Sequence, residues 1–338
     1  MKNATLDRWM AAVDPCLGPL AAVAQDFTGR TGVFVDLAEI LFLRACLAGL
    51  PYPGRTSAGG SCTLLETADG WAAVNLARTD DHAALPALPA LLGMPGTDLR
   101  TAARRTGSEQ LVQQAQLLSV AAAAPGSARG VRAPVHAERH GERRPTDLAG
   151  LRVVDFSALW AGPLCARLLG TAGARVTKVE SAGRPDGARF GPPEFYRWLH
   201  EGHGSTVLDF SPGALAAAVS DADIVIEASR PRALRRFGLR AEEFLAARPG
   251  RVWVSITGYG RVDGRVAFGD DAAVAGGLIG LDERGDPLFL GDALADPVTG
   301  MYAAGAVARC LAAGGGELLC VSMAACAAAL AESRGPAC

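Results

Sequence analysis

From residue 151 onward the chain alternates two kinds of segment, and few features restrict a fold more. "LRVVDFS" is a short β-branched run, "AGPLCARLLGTAGA" carries apolar residues at helical spacing, and "RVTKVES" is a second β-branched run. Such a pattern predicts a strand–helix–strand unit in which Gly162-Pro163 opens the helix. Further strands are predicted at "STVLDF" and "DIVIEAS", and the helix "AEEFLAARPG" leads into another at "RVWVSITGYG". Strands joined through helices pair in parallel, because each crossover returns the chain to the same end of the sheet. The expectation for residues 151–338 is therefore an α/β domain built on a Rossmann-like, doubly wound parallel sheet. Its ligand site should lie at the C-terminal strand ends, where the loops after Ser157, Glu180, Ser229 and Gly258 converge.

The first 120 residues follow another pattern. "VFVDLAEILFLRACLAGL" is a strong helix, "GRTSAGGSC" a glycine-rich loop, and "CTLLETADGWAAVNLA" a pair of strands turned at Ala68-Asp69-Gly70. Helical segments follow near "DDHAALPALPALLG" and "GSEQLVQQAQLLSVAAAA", giving a smaller α+β domain over residues 1–120. Between the two domains, residues 121–150 exchange apolar periodicity for Pro, Gly, Arg and His, as expected of a linker or a surface strap.

Composition narrows the function. With 33 basic against 35 acidic side chains, the chain has no charge excess to draw nucleic acid or an anionic membrane surface. No apolar run is long enough for a transmembrane helix or a signal sequence, so a cytoplasmic protein is expected. Lys2 and Lys178 are the only lysines, and the weight of Ala, Gly and Arg suggests a GC-rich bacterial coding bias. The 8 cysteines are scattered without a CxxC pair or a Cys/His cluster, which argues for free thiols and against structural zinc. His200 and His203 in "HEGHG" are one helical turn apart, but the glycines beside them disfavour a helix and no third ligand is near, so no metal site is expected.

The blocks "LAGLRVVDFSALWAGPLCARLLGTAGARVTKVES", "STVLDF", "DADIVIEASRPRALRRFGL", "RPGRVWVSITGYG" and "GDALADPVTGMYAAGAVA" resemble, in order and spacing, the class III (CaiB/BaiF) CoA-transferase family. In that family one aspartate at the mouth of the Rossmann-like domain is catalytic, and the block "ADPVTGMYAA" places it at Asp296. The resemblance implies that this carboxylate attacks an acyl thioester of coenzyme A to form an anhydride, takes up the thiolate and passes it to an acceptor acid. At a helix N-terminus the acid would be kept ionised by unpaired N–H groups; the same residue, followed by Pro297, also suits a plain helix cap. By the same resemblance Gly59-Gly60 is a mobile loop closing over the acid, although a tight turn alone would also use glycine there. Ala161, Gly162, Pro163, Lys178, Arg230, Arg235, Arg236, Gly258 and Tyr259 are the implied contacts to the CoA moiety.

Departures from the family pattern leave the reaction open. The residues resembling the family's small domain precede the Rossmann-like half, as in a circular permutation or a trimmed double copy in which "VFVDLAEILFL" and "LLCVSMAACAA" repeat one connecting helix. The alpha-methylacyl-CoA racemase-like branch uses a His where this chain has Asp270, and no histidine follows His203. Asp270 could act as a base only if burial or its neighbour Asp271 raised its pKa; His203 is a second candidate base or phosphate contact. Basic residues expected near Ser181 and at His203 to Ser205 are missing, which weakens the case for CoA against an acyl-carrier-protein thioester. Three readings follow: a CoA-transferase-like enzyme with a nucleophilic Asp296, a biosynthetic dehydratase or isomerase of the carnitine dehydratase-like kind using Asp296 as general acid/base, or a non-catalytic thioester-binding homologue. The first βα turn, "SALWAGP", lacks GxGxxG and disfavours a nicotinamide enzyme. The resemblance further implies a homodimer, with coenzyme A as a passing cosubstrate and no permanent cofactor.

Overall fold

Ala68 and Asp69 turn the chain between β1 (Cys62–Thr67) and β2 (Gly70–Asn75), and Asp69 Oδ1 fixes that turn by accepting from Thr67 Oγ1 at 3.0 Å and Ser108 N at 2.7 Å. A short third strand, β3 (Ala121–Ala123), pairs antiparallel with β2 and completes a small sheet. The structure, a computed structural model, describes residues 2–130, 132–229 and 232–333. One face of the small sheet buries Leu65, Val74 and Ala122 against Leu88, Ala102, Leu111 and Ala115 of the neighbouring helices.

The larger sheet contains β4 (Val135–Arg139), β5 (Arg152–Asp155), β6 (Arg175–Ser181), β7 (Gly204–Leu208), β8 (Ile224–Glu227), β9 (Val252–Thr257) and, beyond the two-residue ribbon of β10 (Gly280–Leu281) and β11 (Pro287–Leu288), β12 (Glu317–Ser322). Its order is β4-β12-β9-β8-β5-β6-β7, with β4 antiparallel and all other pairs parallel. The chain leaves β5 in one direction through β6 and β7 and returns to its other side at β8. Such a reversal of strand order is where doubly wound sheets place their ligand crevice. The expected α/β class and parallel sheet are observed.

Helix Ala295–Ala312 is buried along almost its whole length and organises the core. It lies close to helix Ala161–Thr171 because Gly300 presents no side chain: a Cβ there would stand 2.9 Å from that of Leu164. Gly305 lets helix Gly18–Thr31 approach the other side, with Val23 Cγ1 2.7 Å from where a Cβ would sit. Trp9, Leu20, Phe27 and Phe42 therefore join Val153, Leu164 and Val298 in one core.

Three expectations need correction. The N-terminal helices, expected within a small domain of residues 1–120, pack into the core of the larger sheet because their apolar residues face helix Ala295–Ala312. Residues 121–150, expected as a linker, give β3 to one sheet and β4 to the other. "LLCVSMAACAA", expected as a connecting helix, is the end of β12 followed by the start of helix Met323–Ser333; the first half is buried between two strands and makes its hydrogen bonds there. Among the described residues no helix is long and apolar enough to cross a membrane.

Candidate active site

Two helix starts meet beneath the loop of residues 57–60. Asp296 is the second residue of helix Ala295–Ala312 and Asp270 the second of helix Gly269–Gly276. Ala293 joins them: its N–H donates to Asp270 Oδ1 at 2.9 Å, and its carbonyl accepts from Asp296 N at 2.8 Å. That turn holds Ala293 at φ 46°, a left-handed conformation rarely adopted by a residue with a Cβ. Gly269 supplies the other close contact. Its N–H bonds the Asp296 carboxylate, and a Cβ on it would stand 2.5 Å from Asp296 Oδ2.

A third carboxylate, Asp292, lies buried beside them and is gripped by Arg44 through Nε at 2.7 Å and Nη2 at 2.5 Å. Arg44 reaches in from helix Leu37–Ala48, its guanidinium 4.7 Å from the centre of the Trp160 ring. The loop touches this group through Ser57, whereas Gly59 and Gly60 are exposed and contact none of the acids through a Cβ position. Ser57 is buried, its hydroxyl donates to Asp270, and its Oγ accepts from Cys62 N at 3.1 Å. Gly60 makes this turn at φ 80°, donating to the Ser57 carbonyl at 2.9 Å.

Three acids share one arginine, and burial displaces the titration of Asp270 and Asp296. Burial pushes Asp296 up to about 7, with Asp270 and Asp292 adding to the rise and Arg44 and the Gly269 N–H opposing it. Asp270 is pushed up to about 6, by burial and then by Asp292, against Arg44, Ala293 N–H and Ser57. The helix N-terminus was expected to keep Asp296 ionised, but burial outweighs it. Nor does Asp296 cap its helix: Leu294 holds the N-cap position, and Asp296 lies two residues further on, in the first turn, with its carboxylate facing the neighbouring helix. The rise foreseen for Asp270 is present, though Asp292 rather than Asp271 is the acid that follows burial in raising it. Asp296 is half-buried and the most accessible of the three.

Other residues singled out in the sequence are distributed differently. Lys178, expected at the ligand edge, is a core residue: its ammonium lies 2.9 Å from Asp186 and 3.4 Å from Asp155 and donates to the Ser157 carbonyl, so its charge is balanced internally. Ala161, Gly162 and Pro163 form the buried first turn of their helix, and a side chain at Gly162 would overlap that of Ser157. Gly258 packs against Ala267 and accepts from Ala324 N at 3.0 Å. The Tyr259 ring is buried under Arg265, 3.6 Å from its centroid. Arg235 is paired with Glu242 at 2.5 Å, Arg236 is exposed, and Arg230 lies outside the described residues.

His203 belongs to a separate cluster. It packs on Gly170 and, with His200 5.7 Å away, borders a cavity of about 550 Å³ also lined by Arg189, Tyr196 and Arg197. Burial lowers its pKa, which leaves the ring neutral. Sequence reasoning placed neither Arg44 nor Ser57 in the site. An arginine inside the otherwise apolar run "ILFLRACLAG" was the available signal for Arg44.

A sequence profile of CoA-transferase family III matches residues 148–335. The succinate–glutarate CoA-transferase of Agrobacterium fabrum is 30% identical over 190 residues, which cover 50% of this chain and 48% of that protein. The β subunit of succinyl-CoA–L-malate CoA-transferase from Chloroflexus aurantiacus is 33% identical over 172 residues, covering 46% and 42%. The solved structure of the hypothetical protein Rv3272 from Mycobacterium tuberculosis superposes with a TM-score of 0.50 at 26% identity, covering 56% of this chain and 59% of the other. The chain spans about half the length of the curated relatives it matches.

Proposed function

Because the chain belongs to CoA-transferase family III, we propose that it acts on an acyl thioester of coenzyme A, with Asp296 as the carboxylate that attacks the thioester carbonyl. The observation that carries this reading is the division of labour among the three acids. Asp292 is fully engaged by Arg44 and Asp270 is held by Ala293 N–H and Ser57, whereas Asp296 has one backbone donor and the most open surface. A carboxylate with a raised pKa is a stronger nucleophile once ionised, and Arg44 favours the ionised form. Attack by an Asp296 oxygen expels the CoA thiolate and leaves a mixed anhydride. The thiolate then attacks the aspartyl carbonyl, releasing the donor acid and leaving CoA on the enzyme. An acceptor carboxylate repeats the two steps in reverse, and Asp296 is regenerated.

A second reading draws support from the pKa values themselves. Asp270 and Asp296, raised to about 6 and about 7, could hold one proton between them and serve as acid and base in a dehydration or isomerisation. The two readings separate in one experiment: the full chain is mixed with a panel of acyl-CoAs and an acyl-carrier-protein thioester, trapped with hydroxylamine, and compared with Asp296→Asn by mass spectrometry. A hydroxamate at Asp296 supports transfer and identifies the carrier. No hydroxamate, with loss of water or solvent deuterium uptake that depends on Asp296, supports acid/base chemistry. Thioester binding without either would reduce the chain to a binding homologue. Assembly as a homodimer is carried as part of this proposal and is read by light scattering.

A further inference from the structure

Asn75, the last residue of β2, reaches across to helix Gly269–Gly276, where its Nδ2 donates to Asp271 Oδ1 at 2.9 Å. The same oxygen accepts from Phe268 N at 2.9 Å. Asn75 is 1% exposed and Asp271 is fully buried. Two atoms remain without partners: Asp271 Oδ2 and Asn75 Oδ1. Both are acceptors if the acid is ionised, and turning the amide over would set its oxygen against Asp271 Oδ1, acceptor against acceptor. A single hydrogen on Oδ2 would satisfy both. We propose that Asp271 is held as the neutral carboxylic acid, donating from Oδ2 to Asn75 Oδ1, and that this ring-shaped acid–amide pair is a positioning element fastening the small sheet to the helix that carries Asp270.

The surroundings agree. The groups facing Asp271 are Asp270 on its own helix, Cys62 on β1 and Tyr259 after β9, with Arg265 stacked on the tyrosine ring. Among the described residues no cation pairs with Asp271, and an unpaired buried carboxylate is costly. Burial, with Asp270 adding to it, raises Asp271 to about 7 in spite of the N–H donors of Asn75, Phe268 and its own backbone. The mechanical consequence runs through β2 to β1, which starts just after the loop whose Ser57 donates to Asp270. The pair therefore sets the height of that loop over the acids. It stands whether or not Asp296 is a nucleophile.

Infrared difference spectroscopy of the full chain tests the proposal. Wild type minus Asp271→Asn at about pH 6 should show the carbonyl stretch of a protonated carboxylic acid, and the difference should vanish at about pH 9. Asparagine can make the same two contacts, so Asp271→Asn should melt close to wild type at the lower pH while Asp271→Val loses stability. In Asn75→Ala the acid loses its acceptor, and its band should shift. A carboxylate difference band at about pH 6, or a band unmoved in Asn75→Ala, would overturn the inference.

Discussion

Gly269 has room for a hydrogen and little else, because Asp296 Oδ2 and Ala293 occupy the space a side chain would need. Gly269→Ala should cost about 1–3 kcal/mol through overpacking and displace the carboxylate. Hydroxylamine trapping at Asp296 should then fall by about 100-fold, the scale set by misplacing a reacting group. Arg44 answers to a different physics. Replacing it with Met leaves Asp292 as a buried charge without a partner, a loss of about 3–5 kcal/mol. Adding Asp292→Asn to the same chain should restore most of that loss, and denaturant midpoints of the single and double variants measure it. Full additivity would deny the coupling that the two short contacts imply.

At the scale of elements, two segments run against their own composition. Ala121–Ala123 has high intrinsic helix preference, yet helix Ser108–Leu117 ends before it, Ser119 turns the chain at φ 60°, and the alanines pair with β2. All three residues are buried, packed between helix Ser108–Leu117 and helix Gly269–Gly276, where small side chains suit the close approach. β12 is the second case. A short apolar run cannot be distinguished from the first turns of a helix by periodicity, and here the neighbouring strands β4 and β9 decide. Leu319→Ala distinguishes the two: on an exposed helix face it would be close to neutral, but from the middle of this sheet it should cost about 2–5 kcal/mol in a chemical melt.

For the molecule as a whole, the buried acids make stability depend on pH. The folded chain raises Asp270, Asp271 and Asp296 to about 6, 7 and 7, against about 4 for an unfolded carboxyl. It therefore binds more protons than the unfolded chain between those limits, and this contribution is lost as pH rises through the folded values. His200, lowered by burial to about 4, works the opposite way below its ordinary value near 6.5. His203, also lowered by burial, acts in the same sense, and above about pH 6.5 both histidine contributions level off while the acids continue to lose theirs. Stability should fall by about 1–2 kcal/mol between pH ~6.5 and ~8, a few degrees in melting temperature. Asp271→Asn and Asp296→Asn should each flatten the fall. A melting temperature that is constant or rising across this window would show that the acids are ionised in the folded state.

Much of this protein was determined locally. The alternation of β-branched runs and helical periods specified β5 to β9 and their parallel pairing, because side-chain period and crossover geometry are properties of short segments. The acid at the start of helix Ala295–Ala312 was visible for the same reason, since a carboxylate before an apolar helix has few uses. What the sequence could not supply was company. Arg44 and Asp292 are separated by 248 positions, Asn75 and Asp271 by 196, and nothing in either neighbourhood announces the other. Lys178 looked like a ligand contact and is a core cation because the fold places Asp155 and Asp186 on either side of it. The titration of Asp296 was likewise set by tertiary structure: a helix start alone favours the anion, and burial, to which the neighbouring Asp270 and Asp292 add, reverses that preference.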